Sequence, residues 1–412
     1  MKKAGSAEDA DGAGTLLRGE QSEQQASLVE LFLDLVVVFA LNRVVASGTY
    51  DLKSASLEVR WYGFLHGLLL ILPLLWVWIT AAYVTARFDP RRAPVQAMVL
   101  MTAFGLLLLG AAIPSAFNGG PLIFAAVYLA LQAGRSLALY LMLRTHILSR
   151  VYLRTLVWSG VSAVPWLLGA FMPADFSRTL LWLIAIAIDF GAARLGWPVP
   201  GLGQQRITVW AQAPKHLADR HRQLMLIALG ETILAVGVAY TDHDGLHSPT
   251  ATLGLVLAFL TTVLLWRIYS HTAGELFGDA IESAKNPAKL GRVAQAAHVL
   301  MIVGVAATAV GHELIQLRAT GRNYPSWLAV MVGGPALYVA GRALLERVVF
   351  SRVSPPRLLG IAALLVLAVP LAFAPPLAAV AVVPVVLLGI AVADVRRAAQ
   401  NPGEVPAPAE LS

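Results

Sequence analysis

Apolar stretches of about twenty residues recur along this 412-residue chain, and that recurrence limits its fold more than any other feature. Inside hydrocarbon no water is available to the peptide groups, so a spanning segment must satisfy its own backbone, and the α-helix does so within one stretch. Apolar runs of that length fall at approximately 28–48, 61–86, 93–113, 121–144, 152–172, 178–197, 222–241, 250–274, 291–316, 325–349, 356–374 and 376–395. The composition agrees: 58% of residues are hydrophobic and 13% charged, against about 25% charged in soluble proteins. The expected fold is all-α, a polytopic transmembrane bundle of about 12 helices. A turn at Pro375–Pro376 separates the last two, with Pro370 and Pro384 inside helices.

A net charge of +7 raises the question of nucleic acid. The basic residues, however, form short clusters between apolar runs and not one basic face with interleaved aromatics, which excludes that partner. They report topology instead, because cytoplasmic loops retain Lys and Arg. The N-terminal tail, the even-numbered loops and the C-terminal end hold 22 of the 31, the odd-numbered loops hold six, and Arg135, Arg267 and Arg342 lie within helices. Both termini are therefore expected on the cytoplasmic side. With no cysteine, disulfides, thiolate catalysis and Cys-ligated metal are excluded. No nucleotide-binding or hydrolase motif is present, so no cofactor is expected.

The two halves resemble each other. "AMVLM" at 97–101 recurs as "AHVLM" at 297–301, "LLW" at 74–76 recurs at 264–266, and "AGRSLAL" from Ala133 matches "AGRALLE" from Ala340. Asp189 in "IAIAID" likewise matches Asp394 in "GIAVAD". Six helices per copy is an even number, which gives two parallel six-helix repeats, a plan found in some secondary transporters. The expected organisation is a disordered cytoplasmic tail over 1–26, a first repeat over 27–200 and a linker over 201–218. A second repeat follows over 219–397, then a disordered tail over 398–412.

The candidate site residues are the charges inside apolar runs. Glu30 and Asp34 are four apart and share a helix face. Two carboxylates that close in a low dielectric cannot both ionise cheaply, which suits a proton or cation site. Glu30 also fits the first turn of a helix, where the dipole favours acids; Asp34, a turn deeper, is harder to explain structurally. In "HLADRHRQLMLIALGETILAVG", Glu231 lies well inside the apolar run, while Arg220, His221 and Arg222 read as anchors on the cytoplasmic side. Arg135 and Arg342 are the natural partners for the acids. Arg267, His271 and Glu275 continue to Asp279 at four-residue spacing, a polar stripe on a helix leaving the membrane, or a proton path. His298 replaces Met98 of the first half and is either a satisfied interhelical donor or a pH-sensitive group.

"VELFLDLVVVFAL", "HLADRHRQLMLIALGETIL" and "WVWITAAYVTARFDP" resemble segments of the bacterial low temperature requirement A (LtrA) family, a likeness running from about Ser27 to Arg397. Glu30, Phe32 and Asp34 match the first signature, with Leu33 where a second Phe is usual. His216, Arg220, Gly230 and Glu231 match the second, with Asp219 for the usual Glu and Thr232 for the usual Ser. The resemblance implies a multi-pass bacterial inner-membrane protein linked by name to growth in the cold. It brings no molecular activity with it. The residues point first to a secondary transporter or permease for a small solute or ion, with Glu30, Asp34 and Glu231 as its protonatable or cation-binding groups. Alternatives are an intramembrane enzyme acting on membrane lipids and a non-catalytic protein whose buried charges fasten the bundle.

Overall fold

A computed structural model describes residues 16–18, 25–173, 176–205, 208–243, 245–401 and 403–410. The described residues form helices and turns with two isolated bridges. In order the helices are α1 (Leu28–Leu52), α2 (Leu57–Arg87), α3 (Ala93–Ala112), α4 (Pro121–Met142), α5 (Ser149–Phe171), α6 (Phe176–Leu195) and the short α7 (Val209–Gln212). They continue with α8 (Pro214–Asp242), α9 (Pro249–Ser270), α10 (Ala273–Glu282), α11 (Pro287–Leu317), α12 (Pro325–Met331), α13 (Gly333–Phe350), α14 (Pro355–Leu371) and α15 (Pro376–Gln400). Among the described residues, ten helical segments are long and apolar enough to cross a membrane. The stretches expected at 28–48 and 356–374 are α1, with Glu30, Asp34, Arg43 and Asp51, and the 17-residue α14.

Proline sets many of the helix starts. Seven of these helices begin at a proline, where the missing N–H is one the helix would leave unused and the fixed φ is already helical. Pro370 and Pro384 lie inside α14 and α15 as expected, and Pro375–Pro376 make the turn between them.

Contacts divide the chain into two units, one of residues 1–43 and 69–216, the other of 44–68 and 217–412. This is not a single cut at the expected 201–218 linker. Residues 44–68 belong with the second unit because Leu52 C=O accepts from Trp327 Nε1 at 2.9 Å, Thr49 donates to Glu313 at 2.7 Å, and Arg60 stacks 4.1 Å over Tyr324. Within the supposed linker Trp210 is fully buried and helix α8 already begins at Pro214.

In the first unit α3, α4, α5 and α6 pack in sequence order. Their core is aromatic: Trp166 and Trp182 lie 5.1 Å apart, with Phe124 5.5 Å from Trp182 and Tyr128 4.9 Å from Trp166. In the second unit α11 packs along α13, α9 along α15, and α14 between α13 and α15. The α11–α13 seam is built on glycine. A methyl at Gly341 would lie 2.7 Å from Ala297 C=O, and one at Gly304 2.6 Å from the Tyr338 amide nitrogen, so these backbones approach as only small residues allow.

The expected tails differ from the structure where it can be compared. Leu17 bridges to Phe88, and Arg18 donates to Arg87 C=O and Thr85 C=O. Burial pulls the Arg18 guanidinium below its usual range, partly offset by Glu30 and Asp89. The rest of 1–24 lies outside the described residues. At the other end Ala407 and Ala409 amides donate to Val349 and Val348, Ser351 donates to Ala407 C=O, and Glu404 and Glu410 meet Arg352 and Lys285. Main-chain pairing to the end of α13 holds a stretch whose Pro-rich composition predicts disorder.

Candidate functional site

All three candidate acids are buried. Glu30 and Asp34 are 0% exposed and Glu231 1%.

Glu30 owes its place to local sequence. Ser27-Leu-Val-Glu30 is a helix-start pattern in which the third-residue carboxylate reaches back. Here Glu30 Oε2 accepts from the Ser27 amide at 2.8 Å and from Ser27 Oγ at 2.9 Å. Its other oxygen pairs with His216 Nε2 at 3.1 Å, an ion pair when the imidazole is protonated. One oxygen thus closes the helix start and the other reaches α8. Asp34, one turn on, accepts from the indole N–H of Trp78 at 2.7 Å. The acids expected to share a proton are thus each given a separate donor, His216 and Trp78.

The expected arginine partners do not take these acids. Arg135 donates to Gln132 Oε1 and to Val77 C=O at 3.4 Å. Arg342 donates from Nε to Ile268 C=O at 2.9 Å and from Nη2 to His271 C=O at 2.7 Å. A guanidinium's five donors suit carbonyls as well as carboxylates. Here backbone carbonyls bared near the end of α9 take the role. The same bend breaks the expected polar stripe. Helix α9 ends at Ser270, Thr272 has φ +37°, and α10 starts at Ala273, so Arg267 and His271 do not share one helical face with Glu275. Glu275 is exposed.

His298 is buried and fully engaged. Its Nδ1 lies 2.8 Å from Ala294 C=O, an acceptor only, so Nδ1 carries the proton and Nε2 accepts from Tyr269 OH at 3.0 Å. His221, 5.0 Å away edge-on, repeats the pattern with Leu217 C=O at 2.7 Å. This is the satisfied-donor arrangement. The anchor reading fails for Arg220 and His221, which are 0% and 1% exposed. Their position before an apolar run mimics a topological cluster, whereas α8 carries them into the protein interior. On the same helix Thr232 bonds Thr262 Oγ1 of α9 at 2.7 Å.

Two groupings escaped the sequence reading. The first is a buried charge network in the second unit. Arg357 donates to Glu346 Oε2 at 2.6 Å and to Asp394 Oδ2 at 2.7 Å, while Arg352 meets Glu346 at 2.9 Å. The second lies in the first unit, a cavity of about 100 Å³ between α2, α4, α5, α6 and the residues Trp197, Gln205 and Val209, with Arg135 and Asp189 in its wall. The position of Asp189 and Asp394 in matched motifs was the available signal for both.

Comparison with known proteins places the chain. The family model described as bacterial low temperature requirement A protein (LtrA) matches residues 25–392. The chain is 32% identical over 344 residues to the uncharacterized protein RA0937 of Rhizobium meliloti (strain 1021), covering 82% of this chain and 81% of that protein. No solved structure matches.

Proposed function

The chain belongs to the bacterial low temperature requirement A (LtrA) family, and from that premise we propose that it is a secondary transporter or permease of the bacterial inner membrane. Asp34, Glu231 and Glu30 are its protonatable or cation-binding groups. The observation that carries the reading is the complete burial of all three carboxylates in a chain of apolar, membrane-length helices. An ionisable side chain at bilayer depth costs about 2.5–3.5 kcal/mol even on the lenient insertion scale, and groups retained there mark ion and proton paths; Glu231 lies on α8, one of the ten membrane-length helices, and Glu30 and Asp34 on the charged α1 beside them in sequence. Glu30 has a structural duty as well, closing the start of α1, so Asp34 and Glu231 bear more of the functional load.

In this reading both termini are cytoplasmic and about twelve spans form two parallel repeats. The repeat is supported by side-chain habit as well as by sequence. Arg135 and Arg342, matched in the two halves, each donate to a main-chain carbonyl just beyond the matched "LLW" triplet, at Val77 and Ile268 respectively.

Purified protein in proteoliposomes tests the proposal. An imposed pH gradient is expected to drive solute flux or dissipate faster than in protein-free vesicles, and Glu231→Gln is expected to reduce that response at least tenfold. A response equal in wild type and variant would refute it.

A further inference from the structure

The cavity of the first unit contains none of Glu30, Asp34 and Glu231, and its chemistry is specific. Its apolar wall is aromatic, with Trp76, Tyr83, Tyr152, Trp158 and Trp197. Its polar wall carries Thr80, Ser136, Thr155 and Ser159 around three charged groups, Arg87, Arg135 and Asp189, of which Arg87 donates to Gln212 Oε1 at 3.5 Å.

Arg135 and Asp189 do not neutralise each other. Arg135 donates to the neutral oxygen of Gln132; Gln132 Nε2 donates to Tyr128 OH at 3.3 Å; and Tyr128 donates to Asp189 Oδ2 at 2.6 Å. Three hydrogen bonds and two neutral side chains stand between the cation and the anion, every donor pointing the same way. Among the described residues neither Arg135 nor Asp189 has an ion-pair partner. Burying unneutralised charges is costly, and a direct Arg–Asp pair would have been the cheaper arrangement. The structure instead links them only through Gln132 and Tyr128, in the wall of a space lined with aromatic rings.

The cover of this space is also built. Gly196 and Trp197 both adopt positive φ, +81° and +48°, a conformation that strains a bulky residue. Arg154 pins the segment by donating to Leu202 C=O at 3.1 Å and to Gln205 at 3.2 Å, and Trp158 donates to Pro198 C=O at 3.0 Å. The result is that Trp197 and Gln205 are held against the cavity.

We propose that this cavity binds a small zwitterion of the amino-acid type, its carboxylate on Arg135, its ammonium on Asp189 and its side chain against the aromatic wall. A net-neutral ligand with separated charges complements both groups at once, which neither a simple anion nor a simple cation does. The guanidinium is suited to a carboxylate fork, and the rings favour an apolar or cationic neighbour.

Equilibrium binding to the purified full-length protein in nanodiscs tests this without requiring transport, so a failed flux assay and a failed binding assay are separate results. The probes are isotope-labelled glycine, L-alanine, L-valine, L-leucine and L-phenylalanine, with isovalerate and isobutylamine as single-charge analogues. Saturable binding of at least one amino acid is expected, with both analogues at least tenfold weaker. Arg135→Gln and Asp189→Asn are each expected to weaken it at least tenfold. Ser159→Leu, which fills the space without altering a charge, is expected to do the same while leaving the thermal melt unchanged. No binding by any amino acid, equal binding of isovalerate or isobutylamine, or undiminished binding by a folded Ser159→Leu variant would each overturn the proposal.

Discussion

Replacing Arg357 by methionine separates structural from functional charge. Arg357 is buried between Glu346 and Asp394, at 2.6 and 2.7 Å. Its removal leaves Asp394 without the cation and Glu346 with only Arg352 at 2.9 Å and the amide and hydroxyl donors of Ser354. Breaking a buried pair from one side costs about 3–5 kcal/mol. Because Glu346 keeps its other donors, the lower end applies here, about 3 kcal/mol. At about 1.4 kcal/mol per decade this is roughly a hundredfold shift in the folding equilibrium. Removing all three charges together, as Glu346→Gln, Arg357→Met and Asp394→Asn, leaves no orphan charge and is expected to recover most of the loss. The assay is unfolding in mixed micelles at increasing denaturing-detergent fraction, followed by circular dichroism, with wild type, single and triple variants in parallel. A single variant as stable as wild type, or a triple variant no better than the single, would refute the reasoning.

Gly341→Ala is expected to destabilise by about 1–3 kcal/mol in the same assay, because its methyl meets Ala297 C=O at 2.7 Å and the Met301 amide nitrogen at 2.9 Å; Gly237→Ala, with nothing within 4 Å of the added carbon, is the control expected to show no loss. Tyr324, outside the spanning helices, is expected to ionise below the usual phenol range. Arg318 donates to its hydroxyl and lends it positive charge, which favours the phenolate. Ultraviolet difference titration against Tyr324→Phe is expected to show this, and Arg318→Gln to move the titration up.

Legibility in the sequence followed the range of the physics. Helix positions were readable because hydrocarbon imposes span length and because Pro121, Pro249, Pro287, Pro325 and Pro376 announce helix starts one residue at a time. The burial of Glu30, Asp34 and Glu231 was readable for the same reason. Partner choice was not: Arg135 and Arg342 were matched to acids by charge, yet took Gln132 and backbone carbonyls, since a carbonyl bared by a bend has no signature of its own. The bend at Thr272 lacks Gly or Pro at its centre, so the four-residue stripe looked continuous. The first-turn place of Glu30 was readable, but its bond back to Ser27, written in four adjacent letters, was overlooked in favour of the Glu30–Asp34 spacing. Arg220 was misplaced because a basic residue before an apolar run has two meanings, topological and buried, that composition cannot separate. The cavity was invisible because four helices and a loop assemble it, although Arg135 and Asp189 were each conspicuous singly.

The glycine seam between α11 and α13 has a mechanical consequence. Two helices in main-chain contact at Gly304 and Gly341 have no side-chain cushion to slide upon, so a shift of one against the other would drive backbone into backbone. Within the second unit that pair serves as a keel. Any rearrangement there falls to the kinked joint at Thr272, whose carbonyl neighbours at Ile268 and His271 are clasped by an arginine rooted in the keel itself.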